Sequence, residues 1–218
     1  MKKIFAFMIF IMSCVYVTAQ SNDFLAPKYI RASVGYRGDY FYSSGKAADP
    51  DMNMLLSGGS FGLAFGRSVY DGLTSAVYIE AGVEGSYTFG KYKKSSGDME
   101  LLSVGMPVDL CYKVGINDGA LFVLYAGFTL KYNAIASYTY NLKSVSFFNK
   151  DGMRDTNTAN RVQIGALGGL GIEIGSFGIY YKYGYDLTSF QSYQYKGNGA
   201  YNNTMTHNVS LTYFFYSW

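Results

Sequence analysis

Glu80 and Glu84 stand four positions apart where every second residue is apolar, so both carboxylates fall on one face of a strand. With Asp109 on a following strand they make the set that general acid–base catalysis requires, carboxyl groups held in different surroundings. The plainer role for the same residues is ion pairing with Arg and Lys on that face. His207 has two candidate helpers, Asp186 and Ser210, for a triad of the kind found in barrel acyltransferases or proteases. A lone His at the start of a strand is more often an interfacial residue. One His and one thiol beyond the first twenty residues make no metal-ligand cluster, so neither a metal nor a cofactor is expected. The glycines from Gly165 to Gly178 lack G-x-G-x-x-G spacing into a helix and are not a nucleotide loop. No catalytic residue is assigned.

What must position these side chains is an all-β scaffold. The 218 residues include 23 Tyr, 16 Phe and 26 Gly against 3 Pro, and helical periodicity is missing after the leader. Lys2 and Lys3 precede an apolar run from Ile4 to Val17, and small residues follow before Gln20, which reads as a signal peptide over 1–19. A lipoprotein box at Cys14 is a competing reading, poorly served by Met12. Loss of Lys2 and Lys3 takes the formal charge from +3 to +1 (3 − 2), so no polycationic surface for nucleic acid remains. Cys111 is then the single cysteine, which excludes an internal disulfide.

Residues 20–218 read as one domain of eight alternating runs, each about ten residues long, the length that crosses a bilayer core when tilted. The clearest pair lies between Val162 and Asp186, with Val162, Ile164, Ala166, Leu170 and Ile172 on one parity and Gln163, Gly165, Gly169, Gly171 and Glu173 on the other. After the Gly175-Ser176 turn, Ile179, Tyr181, Tyr183 and Tyr185 oppose Lys182, Gly184 and Asp186. Asp71-Gly72 and Asn117-Asp118-Gly119 mark two further tight turns. Connections after runs two, four and six are short and those after one, three, five and seven are long. The expected product is an eight-stranded antiparallel up-and-down transmembrane β-barrel with a bulge at Pro107, which cannot donate to a ladder.

The charges decide which face is the lumen. Arg31, Arg37, Lys113, Lys131, Arg161 and Lys182 share the small-residue parity with Asp39, Glu80, Glu84, Asp109, Glu173 and Asp186. A charge facing lipid at mid-depth costs about 2–4 kcal/mol, so this parity points inward and its members are lumen ion-pair candidates. Glycines on the same face are expected to make room for the long charged side chains. A lipocalin-like soluble barrel explains the alternation but not a solvent face made of glycine.

The segments Leu102 to Lys113 (L-S-V-G-M-P-V-D-L-C-Y-K), Tyr125-Ala126-Gly127, Gly169 to Gly175 (G-L-G-I-E-I-G) and Tyr183 to Leu187 (Y-G-Y-D-L) resemble the small outer-membrane β-barrel family of Gram-negative bacteria that includes the PorT-like proteins. The resemblance covers the fourth to seventh strands; Tyr185-Asp186-Leu187 departs from the family's Gly-Leu. It implies an outer-membrane barrel without catalytic residues, and for one member a part in protein secretion.

The expected function is therefore a structural or interaction barrel of the bacterial outer membrane. Its partners are outer-membrane lipid and lipopolysaccharide, met in part by Lys91, Lys93 and Lys94, and other envelope or secretion proteins met by the long loops at 137–160 and 187–205. A narrow pore and a lipid-modifying enzyme at the rim are the alternatives.

Overall fold

The computed structural model describes residues 26–45, 53–91, 97–117, 119–141, 143–148, 159–195 and 198–217. The leader expected over 1–19 and Lys93 and Lys94 lie outside the described residues. Eight strands build the wall: β1 (Lys28–Gly45), β2 (Met54–Asp71), β3 (Ser75–Lys91), β4 (Asp98–Asn117), β5 (Ala120–Tyr140), β7 (Val162–Ile174), β8 (Phe177–Asp186) and β10 (Asn198–Ser217). Two short strands, β6 (Lys143–Ser146) and β9 (Gln191–Tyr195), pair with β5 and β10, and Ala159 bridges Gln191 of β9. Every wall strand is antiparallel to its neighbours, and β1 pairs with both β2 and β10, so the sheet closes.

The register fixes the barrel's shape. Following paired residues from Lys28 leads through Arg67, Ile79, Leu110, Ala126, Gly168, Tyr183 and His207 to Gly38. One circuit thus returns ten residues further along β1 (38 − 28), a shear of ten for eight strands. With about 3.3 Å per residue and 4.8 Å between strands, that stagger tilts the strands by about 40°. Eight strands at this tilt enclose a space that side chains alone can fill.

Turn chemistry sets one rim. Gly119, between β4 and β5, has φ 110°, and Gly175, between β7 and β8, has φ 56°, a region that residues bearing a Cβ rarely enter. Between β2 and β3 the Gly72 amide donates to the Ser75 carbonyl at 2.7 Å. This is the turn rim; the opposite rim carries the longer connections.

Those connections differ from the expected loops. Ser137 to Tyr140 continue β5 and pair with β6, while β9 and the start of β10 form a second ribbon within 187–205. The wall strands reach 21 residues in β5 rather than about ten. Above a bilayer, water no longer selects for apolar alternation, so polar ribbon extends the ladder without leaving a hydrophobic signature.

Pro107 brings no bulge. The β3–β4 pairing passes from Ala81↔Val108 to Glu84↔Gly105, with the position sum unchanged (81 + 108 = 84 + 105 = 189), and Pro107 stays opposite Thr129 on β5. The missing donor is absorbed by dropping two ladder positions instead of shifting register. The actual slips fall at Ser68/Tyr70, Leu102/Ser103 and Gly115/Asn117.

Inside and outside are sorted strictly by parity. Val34, Phe61, Phe128 and Ile179 project outward and are 57–64% exposed, whereas Glu80 and Lys113 point inward at 4% and 2%. A closed sheet that turns aliphatic side chains out and charges in is built for hydrocarbon, because closure leaves no free edge and the ladders pair the wall's backbone within the sheet apart from the two positions dropped at Pro107.

Candidate functional site

Among the described residues the lumen gathers most of the charged side chains, and it is layered. At the turn rim, Lys113 on β4 pairs with Glu173 on β7 at 2.7 Å. The ammonium also lies 4.1 Å from the Tyr29 ring centre, 4.6 Å from that of Phe214 and 5.0 Å from that of Tyr78, an aromatic cage closing this end. Next, Arg31 pairs with Glu80, which also accepts a hydrogen bond from Tyr29 Oη at 2.9 Å, while Tyr180 Oη donates to Glu173.

The third layer joins four strands. Arg37 reaches Asp39 and Glu84, each at 3.0 Å, and Lys182 takes the other oxygen of Glu84. Asp39 further accepts from Thr206 at 2.7 Å and Thr88 at 3.0 Å, so this fully buried carboxylate has both oxygens satisfied. Lys131 pairs with Asp186 beside it. A cavity of about 40 Å³ lies among Arg37, Glu84, Lys131, Lys182 and Asp186, with room for a water and little more. Above it, Phe41, Met54, Leu56, Met99, Leu101, Ala136 and Phe190 form an apolar cap with Phe147 and Phe148 packed against it. Phe190 comes from the segment between β8 and β9 and meets Phe41 edge-on at 5.2 Å.

Eleven of the twelve charged residues read from parity line this interior. Arg161 does not: it is exposed, its guanidinium stacks 4.2 Å from the Phe148 ring centre, and it donates to Tyr132 Oη at 3.5 Å and to the Ala134 carbonyl at 3.4 Å. It precedes β7 by one residue, where pleat alternation has not begun. The described lumen thus holds five cations against six anions rather than six of each. Asp109 is the acid left over: it is 4% exposed, its Oδ1 has no hydrogen-bond partner, and it sits directly opposite Glu80.

The lumenal glycines also serve a different end from the one expected. A Cβ on Gly66 would strike the Tyr29 ring, one on Gly169 the Tyr125 ring and one on Gly171 the Tyr180 ring. The space goes to tyrosines lying flat against the wall, not to arginine or lysine stems. The parity of Tyr78 and Tyr125, shared with Glu80 and Asp109, is the signal in the sequence that places such rings inside; that they take the glycines' space is decided by the packing.

The acid–base and triad readings meet plain geometry. Glu80 and Glu84 each hold a cation, and His207 is not at a strand start but in the middle of β10, on the outer wall. Its Nδ1 lies 2.7 Å from Tyr181 Oη, and its ring meets Tyr183 edge-on at 5.2 Å. Asp186 is buried on the inner face, bound to Lys131, so the wall itself separates it from the imidazole. Ser210, three residues along β10, has the opposite parity. Among the described residues no group of three or more His, Cys, Asp or Glu is placed to hold a metal.

At the loop rim, Glu100 is a separate polar point. Hydrogen bonds from Ser137 at 2.6 Å and Tyr87 at 2.9 Å hold its carboxyl below the ordinary glutamate range.

No family model and no curated protein matches the chain. Among solved structures it is similar to Neisserial surface protein A, at 15% identity over 88% of this chain and 98% of that one, with a TM-score of 0.43. It is similar to the Yersinia pestis attachment invasion locus protein Ail at 14% identity, 88% and 100% coverage and a TM-score of 0.41. For the Pseudomonas aeruginosa outer membrane protein OprG the values are 14%, 88%, 97% and 0.48. The fold assignment rests on the pairing register itself.

Proposed function

We propose that this chain is a non-conducting, non-enzymatic barrel of the bacterial outer membrane that serves a structural or interaction role. The observation that carries the reading is a lumen closed at both ends, by the caged Lys113 with Glu173 at the turn rim and by the apolar cap around Phe41 and Phe190 at the other. Between them the charges are tied to one another, so little is left to pass an ion or to attack a substrate. Export by a leader over 1–19, and outer rather than other membrane placement, belong to the same proposal, supported by the belt of outward aliphatic and aromatic side chains.

Interaction falls to the loop rim. The β5–β6 and β9–β10 ribbons stand beyond the belt and offer polar surface to lipopolysaccharide, to other envelope components or, as the PorT-like resemblance suggests, to secretion proteins. Reconstitution into planar bilayers tests the closed lumen: the expected result is no steady conductance, and sustained ion flow from pure protein overturns it. Crosslinking in intact cells from positions in the two ribbons identifies what they touch.

A further inference from the structure

The outer wall is not uniform around its circumference. On β8, β10 and β1, three neighbouring strands, it carries polar groups facing lipid that have no partner among the described residues. With Tyr181 Oη as donor to Nδ1 of His207, the imidazole N–H stands on Nε2, facing outward and unpaired. The hydroxyls of Tyr36, Tyr40 and Tyr183, 60%, 36% and 38% exposed, are likewise unpartnered. Elsewhere toward the loop rim Tyr87 donates to Glu100 and Tyr132 accepts from Arg161, and at the top of the sector itself the hydroxyls of Tyr42 and Tyr185 pair with each other. An unpaired donor in hydrocarbon is costly, and here such donors gather in a single sector.

Their level in the wall says what would satisfy them. His207 pairs with Gly38, two residues short of Tyr40, and with the stagger between tilted strands it lies about 8 Å on the membrane-centre side of that tyrosine. Toward the centre the same strands present Val34, Val209, Leu211 and Ile179, all aliphatic and half exposed or more bar Leu211 at 46%. The sector therefore has donors at the loop-rim end and an aliphatic track below them. That polarity matches an amphiphile whose acceptor oxygens lead its acyl chain.

From this we infer that the β8–β10–β1 wall is a lipid site, where His207, Tyr183 and Tyr36 donate to the acyl-linkage carbonyls of a membrane lipid whose chain runs down past Val34 and Val209. The inference rests on the membrane reading above, and heat-modifiable gel migration in the same micelles reports insertion separately.

The test compares two probes, palmitoyl-oleoyl phosphatidylethanolamine and its diether analogue, which lacks both carbonyls. The full barrel is released from micelles doped with either lipid, and bound lipid is counted by native mass spectrometry. The expected result is retention of the ester lipid about fivefold above the ether lipid, the equivalent of one net hydrogen bond. That preference disappears in His207→Phe/Tyr183→Phe and is kept in Val108→Phe, a change on β4 across the barrel from β10. Equal retention of both lipids overturns the inference, as does an ester preference that survives the double substitution. Disulfide-linked dimers formed through Tyr36→Cys at the expense of bound lipid overturn it in favour of a second copy.

Discussion

Glu80 on β3 and Asp109 on β4 face each other directly across the ladder, and only Glu80 has a cation. Two like charges at a directly opposed pair repel, and the buried Oδ1 of Asp109 has nothing to accept from. The two carboxyl groups should thus respond oppositely to neutralisation. Asp109→Asn is expected to leave the urea unfolding midpoint unchanged or raised. Glu80→Gln strands Arg31 and is expected to cost about 3 kcal/mol.

Lys113 and Glu173 are each almost fully buried and hold each other at 2.7 Å. Removing one leaves an uncompensated charge, so Lys113→Met and Glu173→Leu are each expected to destabilise by about 3–5 kcal/mol. The pair replaced together should recover most of that loss, because two apolar side chains suit the surrounding cage of Tyr29, Tyr78 and Phe214. A double-mutant cycle by reversible urea unfolding in micelles measures the coupling.

Gly171 gives its space to a ring: a Cβ there would lie 2.7 Å from Tyr180 Cδ1. Gly171→Val should cost about 1–3 kcal/mol through overpacking. Adding Tyr180→Leu should return part of it, whereas the same leucine in the parent chain destabilises by removing the Tyr180–Glu173 hydrogen bond. Denaturation midpoints of the three variants decide whether glycine is there for the tyrosine.

Glu100 gives the loop rim a pH dependence. Its carboxyl is held below the ordinary range, so folding is favoured with its charge present; that contribution is complete above the unfolded glutamate pKa and is lost as pH falls through the lowered folded value. Amide exchange at Tyr87 and Phe89, on the strand beside it, is expected to quicken in that acid window. Glu100→Gln should abolish the pH dependence; unchanged acid sensitivity in that variant would contradict the assignment.

Much of the architecture was legible from local order. The alternation in Val77 to Phe89 or Phe122 to Tyr132 states which side chains share a face, and the Gly119 and Gly175 turns state where a strand reverses. Arg161 shows where that logic stops, since parity was extended one residue beyond the start of β7. Pro107 shows a second limit: its missing donor was foreseen, but a ladder that drops two positions and a ladder that slips are alike in sequence.

By itself the sequence determined the eight-strand count, the inward parity of Glu80, Asp109 and Lys182, and the outward aliphatic face, because each is a period-2 property read along one strand. Only the tertiary structure decided that the barrel closes with a shear of ten, and partnership across the lumen depends on that stagger. It brings Glu84 between Arg37 and Lys182, leaves Asp109 opposite Glu80 without a cation, and lays Tyr180 over Gly171. His207 is the sharpest case. Its chemistry depends on the neighbouring strand, and closure through β1 and β8 put tyrosines beside it and the whole wall between it and Asp186.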